Sequence, residues 1–90
     1  MSSRILIVED EVLVARDIRA RLERMGYTVA GTAATGEDAI QLALSENPDL
    51  ILMDINLRGE TDGIEAATEI NEVRSIPVIF CTAYSNDEVL

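Results

Sequence analysis

Apolar and polar positions fall into alternating blocks along the chain. Ile5-Leu6-Ile7-Val8 is a continuous apolar run that ends abruptly on Glu9-Asp10-Glu11, and without the alternation of a half-exposed strand it reads as a central parallel strand. From Val12 to Met25, the residues Val14, Ile18, Leu22 and Met25 recur at intervals of four, four and three, which predicts an amphipathic helix stopped by Gly26. Thr28 to Ala33 alternates more polar with more apolar positions, as a strand at the border of a sheet does. Thr35-Gly36-Glu37-Asp38 has the form of a capping box and opens a second helix, with Ala39, Ile40, Ala43 and Leu44 inward and Asn47-Pro48 as its end. Leu50-Ile51-Leu52-Met53 is a second apolar run and, like the first, it stops on an acid, Asp54. A polar loop from Ile55 to Gly63 leads into a third helix with Ile64, Ala67, Ile70 and Val73 inward. Pro77 to Cys81 then gives another buried strand, ending on Thr82.

Strands and helices alternate throughout, with short loops and no repeat or low-complexity tract. The order βαβαβαβ predicts one domain over residues 1–90 with an open parallel α/β sheet. At the carboxyl end, Ser85-Asn86-Asp87-Glu88 again has a capping-box form, so a fourth helix is expected to start there. Little more than one turn remains before Leu90, too short to offset the cost of helix nucleation, and the pattern therefore predicts a chain that ends short of its natural boundary.

Composition narrows the chemistry. Seven cations face 17 acids for a net charge of −10, all seven are Arg, and Lys and His are absent. Histidine general-base catalysis, His-ligated zinc, Schiff-base chemistry and a P-loop lysine are thereby excluded from the chain. The acidic balance argues against nucleic acid and anionic membrane surfaces as partners and is compatible with cation binding. No apolar run approaches the roughly 20 residues of a membrane span, so a cytoplasmic location is expected. Cys81 is the only cysteine and is read as an inert small hydrophobe. Arg16, Arg19, Arg21 and Arg24 on the first helix are read as a solvated face with pairs such as Asp17 to Arg21.

In an open α/β sheet, ligands sit beyond the carboxyl ends of the strands. Glu9 and Asp10 arrive there from the first strand, Asp54 from the third and Thr82 from the fourth. Each acid alone has an ordinary explanation, since acids after a strand often serve as helix N-terminal charges or turn residues. The conjunction does not. If the first and third strands are neighbours, three carboxylates converge, and a hard divalent ion such as Mg²⁺ resolves their repulsion and brings a phosphoryl group as its second partner.

These residues are similar to the receiver domain of two-component response regulators. Ile5-Leu6-Ile7-Val8-Glu9-Asp10-Glu11 resembles its first strand with the acid pair, Pro48-Asp49-Leu50-Ile51-Leu52-Met53-Asp54 its third with the phosphoacceptor, and Pro77-Val78-Ile79-Phe80-Cys81-Thr82-Ala83 its fourth. The resemblance implies a flavodoxin-like doubly wound sheet with strands ordered 2-1-3-4, here without the fifth strand and last helix, and thus without that strand's lysine and aromatic. It implies that Asp54 takes a phosphoryl group from a histidine kinase or phosphotransfer protein. It implies Mg²⁺ bound by Asp10 and Asp54, by Glu9 mainly through water and by the backbone carbonyl of Asn56, and a Thr82 hydroxyl that turns to the phosphoryl group. Tyr84 is expected at the mouth of the site, hindering the hydrolytic water. The loop from Leu57 to Gly63 lacks the family's common Met-Pro and is one residue longer, so its geometry is expected to differ.

Two other functions compete. An aspartate-nucleophile phosphohydrolase usually carries a second Asp two residues after the nucleophile, where this chain has Asn56. A receiver-like interaction module working without phosphorylation is the other, and an apolar edge at Val78 to Cys81 would invite a homodimer or swapped dimer. Dinucleotide binding fails because the first strand leads into Glu9-Asp10-Glu11 and not into a glycine-rich turn.

Overall fold

Backbone pairing follows the apolar blocks. In the computed structural model, which describes residues 2–57 and 59–81, the order is β1 (Arg4–Val8), α1 (Val12–Arg24), β2 (Thr28–Ala33), α2 (Gly36–Glu46), β3 (Leu50–Asp54), α3 (Gly63–Val73) and β4 (Val78–Cys81). The four strands form one sheet in the order β2-β1-β3-β4, every pair parallel. The expected α/β architecture and strand order are therefore present. No helix among the described residues is long and apolar enough to cross a membrane.

The sheet separates two apolar layers. Leu6, Val8, Ile51 and Met53 point to the side covered by α2 and α3, where Ala39, Ala43, Ala66 and Ile70 complete a fully buried cluster. Ile5 and Ile7 point the other way, toward Ala15 and Leu22 of α1. Because α1 is the only helix among the described residues on that face, Leu50 and Leu52 are only partly buried there and line an apolar groove of about 410 Å³ with Leu22, Met25 and Tyr27. β3 therefore alternates in burial where its sequence reads as uniformly apolar.

Helix ends obey the local signals. Gly26 takes a φ of +97°, the left-handed conformation that terminates α1, and Asn47 does the same for α2 at φ 48°. The Thr35 hydroxyl accepts a hydrogen bond from the Asp38 amide at 3.1 Å, as the predicted N-cap should. Asp17 and Arg21 pair at 3.0 Å on the exposed face of α1.

Three apolar positions that periodicity turns inward are exposed. Met25 is exposed because it sits past the end of α1, and Ala15 takes the inward place instead. Ile64 and Val73 are exposed, since α3 packs through Gly63, Ala66 and Ile70 with Ala67 beside them. Small residues let that helix lie close to the sheet, and large flanking residues are left at its margins. β4 is an edge strand among the described residues, with Ile79 and Phe80 exposed, so it is not the buried strand its composition indicates. β2 carries a register shift opposite Ile5 and Leu6, where its alternation breaks before Gly31. Thr82, Tyr84 and the capping-box residues Ser85 to Glu88 lie outside the described residues.

Candidate functional site

The site is built by strand register. β1 and β3 are adjacent and parallel with Val8 level with Met53, so the next residues, Glu9 and Asp54, leave the sheet side by side. Asp10 follows Glu9, and one carboxylate oxygen from each of Glu9, Asp10 and Asp54 lies within 4.8 Å of the others. The convergence expected from two strands ending on acids is present in the fold. Cys81 pairs in register with Asp54, which places the end of β4 beside the same cluster.

Burial and neighbouring acids set Glu9 apart within the cluster. Glu9 is only 9% exposed. Burial chiefly, then the charge of Asp54 and the hydrogen bond and charge of Asp10, push its carboxyl group up to about 7, against the opposing pull of the Glu11 amide. That amide donates to Glu9 Oε2 at 3.1 Å. The Cys81 thiol is also raised, by burial and then by the charges of Asp54 and Glu9, which suppresses thiolate chemistry and fits an inert cysteine, although the residue is only partly buried.

The loop after Asp54 is held at several points. The Asn56 amide donates to Asp54 Oδ1 at 3.0 Å and fixes the carboxylate's rotation. Leu57 drops into the α2/α3 core. Gly63 brings α3 against the strand end: a Cβ there would lie 2.4 Å from the Asp54 carbonyl oxygen. Asp62 and Glu65 form a reciprocal capping box, with Glu65 N to Asp62 Oδ1 at 2.8 Å and Asp62 N to Glu65 Oε1 at 3.0 Å. At the far side, Thr61 Oγ1 donates to Glu37 Oε2 at 3.0 Å, and a Cβ on Gly36 would lie 2.6 Å from the Thr61 carbonyl oxygen. This contact between the loop and α2 was not legible in the sequence. The signal that could have exposed it is the repeated cap-glycine pair, Thr35-Gly36 and Asp62-Gly63, at two helix starts facing one another.

Among the described residues the cluster is made of three carboxylates, a donor set suited to a hard divalent cation.

Comparison with known proteins agrees. Residues 5–90 match the response regulator receiver domain. The chain belongs to that family. The receiver domain is 39% identical over 87 residues to the transcriptional regulatory protein PdtaR of Mycobacterium tuberculosis, covering 97% of this chain and 42% of the relative. It is 42% identical over 85 residues to the phyllosphere-induced regulator PhyR of Methylorubrum extorquens, covering 93% and 32%. Among solved structures, the response regulator PhyR from Brucella abortus superposes with a TM-score of 0.82 at 41% identity over 89% of this chain and 33% of that one. The signal receiver domain of a modulated diguanylate cyclase from Desulfovibrio desulfuricans G20 gives 0.87 at 39%, covering 97% and 70%. The chain thus spans about a third to two-fifths of the length of the curated relatives it matches. Receiver domains of response regulators belong to two-component signalling and work with kinases or partner proteins.

Proposed function

We propose that this receiver domain, extending over residues 1–90, accepts a phosphoryl group on Asp54. The observation that carries the reading is the convergence of Glu9, Asp10 and Asp54 at the adjacent ends of β1 and β3. A carboxylate oxygen of Asp54 attacks phosphorus in line, the phosphorus–nitrogen bond of a phosphohistidine on a histidine kinase or phosphotransfer protein breaks, and the imidazole leaves. An acyl phosphate remains on Asp54. Such transfer passes through a loose transition state and depends on alignment and on compensation of charge on the phosphoryl oxygens.

Mg²⁺, when bound, supplies part of that charge compensation. Asp10 and Asp54 would hold it directly, Glu9 mainly through water, and Asn56 through its backbone carbonyl. The chain's own work is orientation: the Asn56 amide holds the Asp54 carboxylate, and the burial of Glu9 keeps a further acid at the site. Thr82, the residue after β4, is assigned the hydroxyl that meets the phosphoryl oxygen, and Tyr84 the hindrance to hydrolytic water. Turnover is confined to its own phosphorylation and dephosphorylation, because Asn56 stands where an aspartate-nucleophile hydrolase has its general acid. A cytoplasmic setting is part of the same proposal.

A second reading, protein interaction without phosphorylation, is favoured by one finding. PhyR from Bartonella quintana, similar to this chain at a TM-score of 0.81, has been solved in complex with the anti-sigma factor NepR. The β4 edge, exposed among the described residues, also supports self-association of this chain. Incubation of the protein with Mg²⁺ and a small phosphodonor separates the readings. Phosphoacceptance gives an acid-stable, base-labile adduct that Asp54→Asn loses, and absence of any adduct favours the interaction module.

A further inference from the structure

The loop joining β3 to α3 starts at the acceptor and ends at the α3 cap. Its Asp54 end is held by the Asn56 amide and by Leu57 in the core, and its α3 end by the Asp62–Glu65 capping box. Between these, Thr61 reaches across to a different element. Its hydroxyl donates to Glu37 Oε2 at 3.0 Å, in the first turn of α2. The approach depends on Gly36, where any Cβ would collide with the Thr61 carbonyl oxygen at 2.6 Å and with the Thr61 side chain at 2.8 Å. Glu37 also faces Gly59, whose φ of +101° turns the loop toward α2, with Oε1 at 4.0 Å from the position of a Cβ there. Glu37 favours the positive end of α2 whether or not Thr61 is present. The hydroxyl therefore tethers the loop to a carboxylate that is already in place.

We propose that Thr61 is a positioning residue for the Asp54 site, its hydroxyl bond to Glu37 holding the loop in the conformation that presents Asn56 to the cation. The inference rests on the reading of Asp54 and Asn56 given above. Opening of the loop removes the Asn56 carbonyl from the cation and loosens the amide that orients Asp54, so the open population subtracts from cation affinity. A hydrogen bond worth about 1 kcal/mol changes the ratio of open to closed loop about fivefold.

The test uses the whole chain and two readouts: Mg²⁺ affinity by calorimetry, and amide hydrogen exchange in the metal-free protein at Asn56 and Gly63, whose N–H groups bond to Asp54 Oδ1 and to the Ile55 carbonyl. Thr61→Val, close to isosteric, should raise the open-to-closed ratio about fivefold, a change divided between faster exchange at both amides, which follows the open fraction, and weaker Mg²⁺ binding, which follows the closed fraction, so that the two factors multiply to about five. Thr61→Ser should restore both, and Glu37→Ala, which removes the acceptor from the α2 side, should reproduce the loss should the valine variant fold poorly. Exchange and Mg²⁺ affinity both unchanged in Thr61→Val and in Glu37→Ala overturn the positioning role. Asp54→Asn keeps this distinct from the parent reading: if it abolishes Mg²⁺ binding while the Thr61 and Glu37 variants leave both affinity and exchange unchanged, only the positioning role falls. If it leaves binding intact, both fall.

Discussion

Protonation of Glu9 should stabilise the metal-free protein. Its carboxyl titrates at about 7 in the folded chain against an ordinary 4.5, because burial first, and then Asp54 and Asp10, disfavour the carboxylate. Below 4.5 the folded and unfolded chains both hold the proton and the stabilisation is complete. Between 4.5 and about 7 only the folded chain holds it, so stability falls as pH rises, and above 7 the loss is complete. At about 1.4 kcal/mol per pH unit this amounts to at most ~3 kcal/mol, with water access through Asp10 and Asp54 reducing it. That is a large part of the 5 to 15 kcal/mol, roughly, that a domain has in total. The perturbation is Glu9→Gln, which keeps shape and removes the charge. Urea unfolding with chelator should show the variant nearly equal to wild type at about pH 5 and more stable by up to about 3 kcal/mol at about pH 8.5. Excess Mg²⁺ at the higher pH should raise wild-type stability more than that of the variant. A wild type that gains stability relative to Glu9→Gln from low to high pH without metal would refute the reasoning.

Three further outcomes are expected. Gly63→Ala places a Cβ 2.4 Å from the Asp54 carbonyl oxygen and 3.1 Å from Met53 Cγ, so α3 must shift; a loss of about 2 kcal/mol in urea unfolding and weaker Mg²⁺ binding should follow. Asp62→Ala removes the acceptor for the Glu65 amide and half of the capping box, costing about 1 kcal/mol by the same measurement. The 90-residue chain should self-associate with rising concentration in sedimentation experiments, and Ile79→Lys, placing a charge on the exposed β4 edge, should suppress this; a clean monomer at high concentration contradicts it.

Local signals carried most of the architecture. Element order follows from the apolar runs, whereas the β2-β1-β3-β4 order comes from the resemblance to receiver domains; with β1 beside β3, Glu9, Asp10 and Asp54 converge because a parallel sheet delivers every strand's carboxyl end to one side. What escaped depends on neighbours distant in sequence. Periodicity put Ile64 and Val73 inward, yet helix rotation is set by how closely Gly63 and Ala66 can approach the sheet. The four apolar residues of β4 read as buried, but exposure depends on what lies beside the strand. Leu50 and Leu52 are half-buried for the same reason, with α1 the only helix among the described residues on their face. The hydrogen bond between Thr61 and Glu37, 24 residues apart, escaped as well, with the two cap-glycine pairs at the starts of α2 and α3 as its only local trace.

The most direct measurement is the chemical mapping of the phosphoryl group. The protein is phosphorylated with a small phosphodonor and Mg²⁺, reduced with borohydride, which converts an aspartyl phosphate to homoserine, and digested for peptide mass spectrometry. Homoserine at position 54 alone, dependent on Mg²⁺, is the predicted result. Conversion at Glu9 or Asp10, or none at any acid, would contradict the assignment of Asp54 as the acceptor.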